Sequence, residues 1–184
     1  MTHSKAENTP PRINTPSGAH APAKGLPGGI KVIGVGRCGC NAVEHLIQSG
    51  VKSVEYILAF SKFHTPNIEM PARRIQLDSR DAWAVESVLH EIVAAISGAQ
   101  VLFIVAGLGG RTGGSGAHVI ASAARKMGIR TFGVVFTPFA FESEKRIDRA
   151  GASLRLLDET LNMITVISND KLLALGGNLS QQAA

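Results

Sequence analysis

Cysteine, tryptophan and tyrosine are almost missing from this chain, at two, one and one among 184 residues. The two cysteines, Cys38 and Cys40, form a single C-x-C that cannot staple a fold, and no Cys/His grouping has the spacing of a zinc site. No metal ligands are therefore expected, and reduced thiols in a cytoplasmic protein are. No apolar run approaches the roughly 18 residues of a membrane-spanning helix, and the first residues lack the apolar core of a secretory signal. Membrane insertion is not expected. Acidic residues are also the minority, 14 against 19 basic ones, for a formal charge of +5 and a pI near 9.6. That excess suits anionic partners without naming one, and nucleic acid is not specifically indicated.

Glycine, by contrast, is plentiful at 20, and 45% of the chain is hydrophobic, enough for the core of one domain. Residues 1–27 hold five of the eight prolines and no aromatic residue, so they read as a disordered arm. From Gly28 the pattern becomes regular. Ile30–Val35, Val54–Ala59, Arg73–Leu77, Val101–Val105, Thr131–Phe136 and Leu161–Ile167 read as strands. Asn41–Gln48, Asp81–Ser97, Gly116–Met127 and Glu144–Leu157 have helical spacing, with Gly128 closing the third of these. Continuous apolar strands alternating with helices predict an α/β fold: a Rossmann-like, doubly wound, mostly parallel sheet covered on both faces.

Ligands of such folds bind at the carboxyl ends of the strands, where two glycine clusters fall. The first, Gly34-Val-Gly-Arg-Cys-Gly-Cys-Asn41, fits G-x-G-x-x-G between a strand and a helix. A dinucleotide site also wants an acid after the second strand, and this chain has Phe60-Ser-Lys62 there. Ser61 and Lys62 suit a 2′-phosphate instead, so an NADP-binding oxidoreductase is one reading. The second cluster, Gly107-Leu-Gly-Gly-Arg-Thr-Gly-Gly-Ser-Gly116, is superfluous to a dehydrogenase. Two glycine loops on neighbouring strand ends suit a mononucleotide whose phosphates are wrapped from both sides.

Four stretches in this order resemble the FtsZ/tubulin family, over roughly Gly29 to Leu175. They are IKVIGVGRCGCNAVEHL, AGLGGRTGGSG (similar to the G-G-G-T-G-[ST]-G signature), TPFAFESEKR and VISNDKLL. The resemblance implies a GTPase-domain fold over 28–177, a short tail at 178–184, GTP or GDP as ligand with Mg2+ accompanying it, and a place in cell division and septation. It places Gly36, Arg37, Cys38, Gly39, Cys40 and Asn41 along the first loop, with Asn41 near base or sugar. Gly107, Gly109, Gly110, Arg111, Thr112, Gly113, Gly114 and Ser115 fall in the phosphate cradle, with Thr112 adding a hydroxyl to the N–H groups. Pro138 belongs to the sugar-binding loop. Glu142 would bond ribose hydroxyls, Arg146 would reach the sugar and phosphates, and Asn169 would recognise guanine. Read singly, Glu142 is equally a helix N-terminal residue and Asn169 a helix cap.

The departures from the family are specific. Arg37, Cys38, Cys40 and Arg111 stand where it has glycines, and the two arginines would either strengthen anion binding or fill the space that a bare backbone leaves. The cradle is one residue longer, so Ser115 or Gly114 takes the second hydroxyl position. The family's Asn-Thr-Asp after the second strand and its glycine-rich loop after the third have no counterpart. The helix and second domain that supply an acidic partner for guanine and the catalytic acids do not follow Leu175. No catalytic residue is therefore expected, and little intrinsic GTP hydrolysis. The expected role is a GTP-binding protein that joins or caps filaments of full-length FtsZ or engages another division protein; a pseudo-GTPase with a decayed site is the other reading.

Overall fold

The structure, a computed structural model, describes residues 29–62, 66, 71–77 and 88–176. The expected arm at 1–27, the tail at 178–184 and the first part of the helix expected from Asp81 lie outside the described residues. Six strands form one sheet: β1 (Gly29–Val35), β2 (Val54–Ser61), β3 (Arg73–Leu77), β4 (Ala99–Gly107), β5 (Arg130–Thr137) and β6 (Met163–Ser168). Their order is β3-β2-β1-β4-β5-β6, and every pairing is parallel. The chain starts in the middle, winds outward to β3, then returns to the other side of β1 for β4. The expected doubly wound, Rossmann-like α/β fold is what forms, and β1 and β4 flank its topological switch point.

Helices cover the sheet unequally. On one face α2 (Leu89–Ile96), α3 (Gly113–Lys126) and α4 (Glu144–Thr160) pack on alternate strand residues such as Ile33, Ile57, Leu102, Ile104 and Val135. On the other, α1 (Gly36–Gln48) covers Val32, Tyr56, Leu58 and Val105 through Cys40 and Val43. Beyond α1, Phe103, Val134 and Phe136 stay half-buried and border a groove of about 490 Å³. At the far edge β6 is largely open, with Met163 60% exposed. A short α5 (Asn169–Gly176) follows it.

Helix boundaries departed from expectation. Among the described residues the helix expected over Asp81–Ser97 is helical only from Leu89 to Ile96, with Val88 in a turn, while other helices are longer than expected. α1 starts at Gly36 rather than Asn41, and α3 at Gly113 rather than Gly116. Glycine's poor helix propensity hides these first turns, but packing against the strands imposes them. α4 runs on to Thr160, and α5 forms where only a turn was read. The C-terminal stop of α3 is as expected: Gly128 takes φ +72°, its N–H bonds Arg125 O and the N–H of Ile129 bonds Ala124 O.

α2 has a different C-terminal device. Lys31 reaches from β1, buried, and donates to Ala95 O at 2.9 Å while pairing with Glu55 at 2.9 Å. Arg73 reaches from β3 and donates to Ala94 O at 3.1 Å. Two cations thus meet the negative end of the helix dipole. Lys31→Met is expected to lower unfolding free energy by about 1–3 kcal/mol in urea titrations, since a charged donor to a buried acceptor is lost. Glu55→Gln should cost under about 1 kcal/mol, because Glu55 is 69% exposed and its share of the ion pair is screened.

Candidate functional site

The carboxyl ends of β1 and β4 each turn straight into a helix, and both turns are built on glycine. After Val35, Gly36 takes φ +70° and opens α1; a side chain there would meet Gly113 N at 3.3 Å and Thr112 Cβ at 3.6 Å. One turn later Gly39 lies so close to the carbonyl of Val105 on β4 that no Cβ fits between them. On the other side Gly113 lies equally hard against Gly107 O. The two helix N-termini therefore meet across the switch point, one above each face of the sheet.

Neither N-terminus is capped. Val35 and Thr112 occupy the cap positions, no side chain among the described residues bonds the first-turn N–H groups of either helix, and neither first turn holds an acid. In α3 the first closed turn is Gly116 N–H to Thr112 O at 2.9 Å, which leaves the N–H groups of Gly113, Gly114 and Ser115 ahead of it. Ser115 does not supply a free hydroxyl, because its Oγ donates back to Arg111 O at 2.7 Å. Thr112 Oγ1 has no such bond among the described residues, so of the two it is the available hydroxyl. Gly110 is exposed, with open space around the position of a side chain.

The remaining candidates approach from β5 and β6. Gly109, at φ +84°, packs on the backbone of Arg146, whose carbonyl a side chain would meet at 2.7 Å. This ties the β4–α3 turn to the first turns of α4. Glu142 accepts from the N–H of Phe139 at 3.0 Å through Oε1 and from Arg146 Nη1 at 2.6 Å through Oε2. Both oxygens are engaged, yet a carboxylate has lone pairs to spare. Pro138 borders a small pocket of about 370 Å³ with Ala140, Ile147 and Asp170. Asn169 opens α5 at the end of β6, two strands from β4.

Arg37 and Arg111 are exposed, while Cys38 is half-buried against Gly107. Asn41 is half-buried on α1. Cys40 is fully buried, its thiol facing Gly34 O and Ala59 O. Burial, then the nearby Glu44 carboxylate, pushes its pKa from an ordinary 9.0 up to about 12; burial also raises that of Cys38. Cys40 is thus core rather than ligand. Two groups escaped the sequence reading: Ser153, which packs on Gly114, and Asp170, which accepts the N–H of Ala140 at 3.1 Å. Asp170, in the first turn after a strand, carried the signal of a helix start; Ser153 carried none.

The family description "Tubulin/FtsZ family, GTPase domain" matches residues 76–177, from β3 through α5. The chain belongs to this family. Cell division protein FtsZ of Neisseria gonorrhoeae is 37% identical over 172 residues, covering 86% of this chain and 44% of the relative. That of Magnetospirillum gryphiswaldense is 38% identical over 156 residues, 78% of this chain and 28% of the relative. Among solved structures, the empty FtsZ dimer of M. jannaschii superposes with a TM-score of 0.75 at 27% identity, covering 84% of this chain and 49% of that one. The chain spans about half or less of the length of the relatives it matches. No helix among the described residues is long and apolar enough to cross a membrane, and no group of three or more His, Cys, Asp or Glu could hold a metal ion there.

The Cys40 environment gives a pH dependence. A thiol whose pKa is raised on folding favours the native state fully below pH 9, and that contribution is lost as the pH rises toward 12. Urea unfolding at pH 7.5 and 10.5 should therefore show Cys40→Ala less stable than the parent at the lower pH, with the gap narrowing at the higher one.

Proposed function

We propose that these residues form the guanine-nucleotide-binding domain of an FtsZ-like cell-division protein. The observation that carries the reading is the meeting of two uncapped helix N-termini at Gly36 and Gly113, where backbone donors and two dipoles point at one place. Family membership makes the expected anion the phosphates of GTP or GDP. The fit test is favourable: Gly110 leaves room, Thr112 offers a hydroxyl, and the first-turn N–H groups of α3 lack side-chain partners among the described residues. Gly107, Gly109, Gly110, Thr112, Gly113 and Gly114 would hold the phosphates, with Gly36, Arg37 and Gly39 opposite. Glu142 and Arg146 would hold the sugar, with Pro138 shaping that loop, and Asn169 and Asn41 would be the groups for the base. Mg2+ would accompany the phosphates as their counter-ion.

Hydrolysis by these residues alone is expected to be slow. Neither first turn beside the proposed phosphate site holds an acid that could activate water. Holding the phosphates without an activated water leaves most of the barrier standing. The partner we propose is an FtsZ filament, which the 184-residue protein would join or cap.

Titration with labelled GTP, GDP, ATP and NADPH tests the ligand. Guanine nucleotides should bind tightest; a preference for NADPH would favour an oxidoreductase, and binding of none would favour a decayed site. Gly113→Val should abolish GTP binding, since its side chain would run into Gly107 O, and Thr112→Val should weaken it about tenfold with circular dichroism unchanged. In a second test, the 184-residue protein mixed at low ratio with FtsZ and GTP should shorten filaments measured by sedimentation. Unchanged pelleting would discard the filament role.

A further inference from the structure

The two N-termini that meet at the switch point carry the wrong charge for helices. An N-terminus is partially positive and is stabilised by Asp or Glu. Here Arg37 is the second residue of α1 and Arg111 immediately precedes the cap residue of α3, with no acid in either first turn. Both arginines are exposed, and neither guanidinium has an ion-pair or hydrogen-bond partner among the described residues. Glu142 pairs with Arg146 at 2.6 Å. Two helix N-termini that touch at Gly36 and Gly113 thus each carry an exposed guanidinium beside them, with no acid in either first turn. The placement costs stability locally, and a local rule broken at the ligand end of such a sheet marks a candidate functional position.

We infer that Arg37 and Arg111 are a pair of polyphosphate-positioning residues, one on each side of the cleft, that make the site select ligands by phosphate charge. This rests on the nucleotide reading above and deepens it. A guanidinium gives bidentate, charge-assisted bonds to phosphate oxygens and stays ionised throughout the working pH range. Affinity should then rise steeply from guanosine monophosphate through diphosphate to triphosphate, and fall with salt more sharply than backbone donors alone would require. The arrangement is a trade of stability for function, so the same residues that weaken the empty protein should strengthen the loaded one.

The test uses the 184-residue protein, Arg37→Gln, Arg111→Gln and the double variant, with Arg→Lys at each site as the conservative control. Two probes are titrated at low and high salt: GTP, and inorganic tripolyphosphate, which has neither base nor sugar. Each Gln variant should lose about tenfold in GTP affinity and less in GMP affinity, with a flatter salt dependence, and Lys should restore part of the loss. The empty Gln variants should melt about 1–4 °C higher than the parent, a gain that a merely structural arginine would not give. Unchanged triphosphate-over-monophosphate selectivity, or tighter binding in the Gln variants, would overturn the inference and leave the nucleotide reading standing. Arginine-dependent binding of tripolyphosphate without binding of GTP would do the reverse. Failure of both probes on the parent would overturn both.

Discussion

Everything at this site depends on how closely two helices can approach the strands that precede them. Gly39 of α1 touches the Val105 carbonyl of β4, and Gly113 of α3 touches the Gly107 carbonyl at that strand's end. A single methyl at either position would push a helix away from the sheet, and the N-termini at Gly36 and Gly113 would no longer meet. The doubly wound order supplies the neighbours, since β1 and β4 send their helices to opposite faces. The glycines supply the distance. Charge follows from both, because the dipoles add where the turns converge.

The architecture was legible because its signals are one-dimensional. Five apolar runs of strand length, with the short and more polar Arg73–Leu77, separated by amphipathic stretches, predict parallel strands and covering helices without reference to anything distant. The glycine clusters were legible for the same reason, and they fall at the carboxyl ends of β1 and β4. Helix starts were hidden, since Gly36 to Cys40 and Gly113 to Ser115 have weak intrinsic preference and become helical only when packed on β1 and β4.

Side-chain commitments were the illegible part of the site. Ser115 was a candidate for the second hydroxyl position beside Thr112, but its side chain turns back onto Arg111 O. Cys40 sat in the middle of a site motif, yet its position on α1 points it into the core with Val43. The Glu142–Arg146 pair is the converse case. Its spacing of four residues is readable as a helical ion pair, while its second bond to the Phe139 N–H depends on the loop's path. Local chemistry transfers from sequence; choice of partner does not.

The all-parallel pairing has a kinetic side. Without a single hairpin, no strand can zip against its neighbour in the chain, and each pairing waits for a crossover to close. The contact that creates the cleft is among the most distant of these: Gly34 of β1 lies beside Val105 of β4, with β2, β3 and α2 threaded between them. A pairing of such separation raises the contact order of the fold, which goes with slow folding. A chain that has assembled the cleft has already committed its central strands, so occupancy of the cleft doubles as a report that those strands are paired.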